Sequence, residues 1–169
     1  ASGSANLSFT SGIDDTYEKY VFKFINIHPV TDGAKFTFQA DTGTNTSYNQ
    51  TITSTFFHAS HNESDSDSGP LEYEAGHDQA QGSGFQDLIR NIGNDNDQNG
   101  NGFLEIYNPS SSVFVKHFIS TMNSQQSNEY TDNTYIAGYF NLTTPLTRFQ
   151  FKMSSGNIDS GVIKLYGVS

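Results

Sequence analysis

Asp95-Asn-Asp-Gln-Asn-Gly100 sets oxygen-bearing side chains at alternate positions ahead of a glycine, the way the first half of a calcium loop collects hard ligands. On that spacing Asp95, Asp97 and Asn99 are the candidate calcium ligands. The second half of the pattern departs from it. Glu105 follows Gly100 one residue too early for the EF-hand spacing, and both flanks read as strands, not helices. Asn and Asp also suit hairpin turns, because they tolerate positive φ and bond their own backbone, so a turn without metal is the competing expectation.

His58-Ala-Ser-His61-Asn-Glu63 offers two imidazoles and a carboxylate, a combination able to hold a metal ion or share a proton. At a strand end, positions 58 and 61 point to opposite faces, so both reach one ion only if the chain turns between them. A metal would also need a third ligand and groups that orient the imidazoles. Six carboxylates follow between Glu63 and Asp78. Paired carboxylates can hydrolyse a glycoside, but that chemistry requires one buried acid on a rigid element, and these lie among Ser and Gly, where a solvated loop is expected. His28, His77 and His117 are scattered, and none stands in a hydrolase signature. No catalytic residue is expected.

The elements that must position these residues read as strands. Apolar residues do not recur at helical spacing over three turns anywhere in the chain. Short strand-like runs appear instead, at 6–10, 20–28, 34–40, 50–59, 86–92, 102–108, 113–121, 134–142, 148–153 and 162–167, separated by Gly-, Asn-, Asp- and Pro-rich punctuation. Such a series without crossover helices predicts an all-β, antiparallel two-sheet sandwich of jelly-roll type in a single domain, residues 1–169. In the last two runs Phe149, Phe151 and Met153 share one face, Ile163 and Leu165 another, and the polar segment Ser154 to Gly161 reads as the turn of a closing hairpin built into the sheet. With Phe22, Phe24, Phe36 and Phe38, these residues form the predicted core, apart from Met153 and Ile163. Lys35, Thr37 and Gln39 would then occupy a wet face. Val21, Phe22, Phe24, Ile25 and Ile27 populate both faces of one strand, so cover from a partner subunit or from the long polar segment 58–84 is expected. That segment is either a binding excursion or flexible surface.

Composition narrows the partners. A chain of 169 residues can bury one core without staples, and with no cysteine it has neither disulfides nor thiolate chemistry. Fourteen Phe and nine Tyr supply large buried areas. The net charge is −10, and between Lys35 and Lys116 Arg90 alone faces eleven carboxylates. Nucleic acid and anionic membranes both select the opposite field, so neither is an expected partner, and no apolar run is long enough to span a bilayer. Ala1-Ser-Gly-Ser4 lacks the basic and apolar stretches of a secretory leader, an opening expected where an initiator Met or a processed segment has been removed.

Leu7-Ser-Phe-Thr-Ser-Gly-Ile-Asp-Asp15, Tyr20-Val-Phe-Lys-Phe-Ile-Asn-Ile-His-Pro29, Gly138-Tyr-Phe140, and Phe151-Lys-Met-Ser-Ser-Gly-Asn-Ile-Asp-Ser-Gly161 leading into Ile163-Lys-Leu-Tyr-Gly167 span most of the chain. In these segments it resembles a family of small virion structural proteins of tailed, especially marine, bacteriophages. The resemblance implies a non-enzymatic protein carried in many copies on the virion surface, as capsid decoration or as a tail or fibre component, with other virion proteins as partners. A homo-oligomer such as a trimer is expected. The alternative is a carbohydrate- or receptor-binding module, an adhesin for host surface glycans, with Tyr48, Tyr73, Tyr107 or Tyr130 stacking on sugar rings. Beyond calcium, no cofactor is implied.

Overall fold

The computed structural model describes residues 1–169. Twelve strands form, with no helix: β1 (Leu7–Phe9), β2 (Lys19–Pro29), β3 (Ala34–Thr42), β4 (Ile52–Asn62), β5 (Glu72–Tyr73), β6 (Ala80–Gly82), β7 (Gln86–Ile92), β8 (Gly100–Tyr107), β9 (Lys116–Gln125), β10 (Tyr130–Phe140), β11 (Leu146–Met153) and β12 (Ile158–Val168). They build two antiparallel sheets packed as a sandwich. The smaller has the order β1-β11-β3-β7, and the larger runs β12-β2-β8-β9-β10-β4-β5, with β6 also on β4. The expected fold class is therefore the observed one. β5 and β6 are the additions, too short to show any alternation.

Aromatic rings fill the space between the sheets. Phe151 of β11 is fully buried, and its ring centroid lies 4.9 Å from Phe22, 5.2 Å from Phe24, 6.0 Å from Phe36, 6.1 Å from Phe9 and 6.4 Å from Phe38. Phe22 and Phe24 belong to the larger sheet, so this one ring packs across the whole sandwich. Phe36, Phe38 and Phe149 are also fully buried, whereas Leu165, on an outermost strand, is only half covered.

Three sequence expectations are corrected. The last two strands do not form a hairpin: β11 pairs with β1 and β3, while β12 pairs with β2 in the opposite sheet. The segment Ser154–Asn157 carries the chain across the sandwich, with Gly156 at φ +67. Second, β2 does carry apolar residues on both faces, but not in an unbroken alternation. Asn26 has φ +52, and β2 is bulged there against both neighbours, with the Asn26 N–H donated to Asn101 Oδ1 at 2.8 Å. The extra residue resets the alternation, so Ile27 points inward with Phe22 and Phe24, while Val21 and Ile25 lie on the outer face, Val21 covered by its neighbours and Ile25 exposed. Third, β3 has no wet face at Thr37, Gln39 and Asp41, all buried. Gln39 Nε2 donates to the carbonyls of Gln50 and Gly84, and Asp41 accepts the Tyr48 N–H and the Gln50 side-chain amide, so neighbouring segments cover that side.

Candidate functional site

The chemistry-bearing residues converge at the β4 edge of the larger sheet. Alternation along β4 turns Ile52, Ser54, Phe56 and His58 inward, so His58 continues an apolar row and is 1% exposed. Thr134 of β10 lies opposite it, and Asp132, two residues away on the same face, is fully buried. Asp132 Oδ1 lies 2.9 Å from His58 Nδ1, while its Oδ2 accepts the Nε–H of Arg90 at 3.0 Å. Arg90 reaches across from β7 of the smaller sheet and also donates through Nη1 to Glu74 at 3.2 Å. β5 lies antiparallel on β4 with Glu72 opposite His58. His58 Nε2 thereby faces Glu74 Oε1 at 3.3 Å and Glu72 Oε1 at 3.7 Å.

A second cluster anchors the other half of the excursion. His77 Nδ1 is 2.7 Å from Asp87 Oδ2, which also accepts from Lys35 Nζ at 2.8 Å. Gln86 donates to the His77 carbonyl and accepts from Ser54, and the His77 ring packs on Phe56. Segment 58–84 is thus a built part of the edge. Its carboxylates form no buried acid pair: Glu72 is exposed, and Glu74 is committed to Arg90.

The remaining candidates fall elsewhere. Asp95 and Asp97 are exposed in the β7–β8 turn, which closes on itself: the Gln98 N–H donates to the Asp95 carbonyl, and the Asp95 N–H donates to Gln98 Oε1. Asn99 Oδ1 accepts from Asn101 Nδ2, and its own amide donates weakly to the Asp97 carbonyl. Glu105 cannot complete a loop there, because five residues of extended β8 carry it about 17 Å from Gly100. It binds Lys19 and Tyr107 instead. The Tyr107 hydroxyl holds the Glu105 carboxyl below the usual carboxylate range, and the same bond pushes Tyr107 up to about 12. The one group of three imidazole or carboxylate ligand atoms within 4.8 Å of one another is His58, Glu72 and Glu74. His61 stays exposed beside Asp65, as the opposite-face argument required.

Comparison with protein-family models, curated proteins and solved structures finds no match. The surface itself must therefore supply any further guide to function. The outer face of the larger sheet carries a polar cleft of 490 Å³ lined by Asn99, Asn101, Asn123, Gln125, Thr131 and His61. Asn133 pairs with Asn123 of the cleft, and two residues further along β10 Tyr135 stacks on its β4 partner Phe57 at 5.3 Å. Of the tyrosines considered for sugar stacking, Tyr48 is excluded because it is buried under β3's cover. Tyr73 and Tyr130 bond Asp78 and Asp67 through their hydroxyls, which raises both phenols. One lysine is also buried: Lys116 donates to the carbonyls of Phe114 and Leu142, and burial lowers its pKa.

Proposed function

We propose that this chain is a non-enzymatic structural protein of a tailed-phage virion, displayed on the particle surface as capsid decoration or as a tail or fibre component. The observation that carries this reading is the outer face of the larger sheet. Cross-strand pairing puts Val162 beside Ile25, and Tyr166, Val21, Glu105, Ile119 and Ala137 in one row, with Phe103 in the next row. Ile25, Phe103, Ile119, Val162 and Tyr166 are all exposed. A broad sheet face with apolar side chains in register suits repeated docking on a neighbouring copy or a particle lattice. The residues that carry the family resemblance fit a scaffold role. β2 anchors the core, and the segment 151–161 links the two sheets.

Mass spectrometry and immunogold labelling of purified particles test this. Labelling of tail-less capsids would support decoration, and labelling confined to tails would support a fibre component. A chain expressed during infection but missing from purified particles would overturn the reading.

The polar cleft favours a second reading, glycan binding. Its Asn, Gln and Thr side chains can exchange hydrogen bonds with sugar hydroxyls, while the neighbouring Tyr135–Phe57 pair offers an aromatic wall. Retention on a glycan array, lost in Asn123→Ala, would support an adhesin. No retention on any glycan would remove this alternative.

A further inference from the structure

The excursion after β4 returns to the sandwich by laying β5 along β4, and so brings two carboxylates over a histidine otherwise sealed in the interior. We propose that His58, Glu72 and Glu74 bind a divalent transition-metal ion of the zinc type, which fastens the excursion to the sheet edge. Asp132 sets the tautomer. It is fully buried and accepts the Arg90 Nε–H on one oxygen, so it is held as an anion and its other oxygen can only accept. Nδ1 of His58 must then carry the proton, and Nε2 is the open atom.

Nε2 faces only acceptors, Glu74 Oε1 at 3.3 Å and Glu72 Oε1 at 3.7 Å. An imidazole nitrogen so placed, on a side chain 1% exposed, is satisfied only by a positive centre among the three atoms, either a second proton or a metal ion. Three carboxylates against one guanidinium leave two negative charges around a neutral imidazole. A second proton on His58 cancels one of them; a divalent ion cancels both.

The spacing also fits. Tetrahedral zinc with bonds of about 2.0 to 2.2 Å sets neighbouring ligand atoms about 3.3 to 3.6 Å apart, and the two observed separations lie at or just beyond that range. One imidazole and two carboxylates suit zinc better than calcium, which takes oxygen ligands throughout. A carboxylate behind the coordinating imidazole, here Asp132, is what orients such a ligand and raises its basicity. Exposed Glu72 leaves the fourth position facing solvent, where water completes the shell.

Zinc alone, titrated calorimetrically into the chelator-treated 169-residue protein, should bind at one equivalent and raise the melting temperature. Glu72→Gln removes a ligand from the surface without touching the core. It should melt like the wild type without metal and lose roughly tenfold or more in zinc affinity. Cobalt should give the intense visible bands of a four-coordinate ion in the wild type but not in Glu72→Gln. His61→Ala, at the exposed imidazole beside Asp65, should bind zinc as the wild type does. The proposal fails if zinc shows no saturable binding at high micromolar concentration, if Glu72→Gln binds unchanged, or if His61→Ala abolishes binding.

Discussion

Phe151→Ala removes the ring on which both sheets close. The side chain is completely buried, with rings from β1, β2 and β3 around it. Taking away about 100 to 120 Å² of apolar surface at about 25 cal/mol per Å² costs about 2.5 to 3 kcal/mol. The cavity adds to this. Phe22 and Phe24 are held by the larger sheet and Phe36 and Phe38 by the smaller, so the walls collapse only in part, and another roughly 1 to 2 kcal/mol brings the total to about 3.5 to 5 kcal/mol. With a urea dependence of about 2 kcal/mol per M, the unfolding midpoint should fall by about 2 M at unchanged slope. Phe103→Ala, on the outer face of β8, should cost less than half as much. A loss below about 1.5 kcal/mol for Phe151→Ala would mean that this ring is not where the sheets meet.

Lys116 titrates low because it is buried, so between its folded pKa and the ordinary 10.5 the unfolded chain binds the extra proton, and stability should rise with pH over that interval. Urea midpoints of Lys116→Met should lose this rise; an unchanged profile would show the amine to be solvated. Tyr107 acts in the opposite sense. Held protonated up to about 12, it should make stability fall from its ordinary 10.0 to that value, and Tyr107→Phe should flatten the fall. Gly138→Ala would put a methyl group 2.6 Å from the Thr53 carbonyl and 2.7 Å from Phe118, and should cost about 1 to 3 kcal/mol by thermal melting; a neutral result would mean that β4 and β10 can separate. The turn at Asp95, Asp97 and Asn99 closes through its own hydrogen bonds, so calcium should leave the melting temperature unchanged, and a rise that Asp97→Ala abolishes would establish the metal reading. Sedimentation over a concentration series should show self-association that Ile119→Lys suppresses; a strictly monomeric wild type at high micromolar concentration would exclude the homo-oligomer.

Alternation revealed which face a residue takes, and much less about its neighbours. Phe36, Phe38, Phe149 and Phe151 were legible as core because each alternates cleanly with polar residues, and the run 86–92 coincides with β7. The closing hairpin was misread because β11 and β12 have the same local pattern whether they pair with each other or lie in opposite sheets. β2 does place apolar residues on both faces, but parity counting puts Ile27 with Val21 and Ile25 because it assumes an unbroken period of two. The available signal was Asn26, among the residue types that most readily adopt positive φ. His58 lay on the inward parity of its strand, so its burial could have been foreseen from Ile52, Ser54 and Phe56. Its partners could not. Glu72 and Glu74 arrive on a two-residue strand, Asp132 by sheet pairing and Arg90 from the opposite sheet, and none of these separations follows from local sequence.

The edges of the larger sheet favour assembly through its face. Eleven-residue β4 would be an open template for another strand, but β6 pairs with it at Ile52 and Thr53 and β5 at Phe57 and His58, so most of its free hydrogen-bonding groups are engaged within the chain. The opposite edge, β12, is disrupted by register shifts on either side of Ser160 and carries the charge of Lys164, two devices that discourage strand addition. In the smaller sheet, β1 offers only three residues. What remains open is the outer surface across β12, β2, β8 and β9, where Val162, Ile25, Phe103 and Ile119 stand exposed and β2, β8 and β9 are each paired on both sides within the sheet. A contact there depends on side chains alone. Replacing them one at a time should therefore weaken any association without unfolding the sandwich, which separates an assembly defect from a folding defect in the same set of variants.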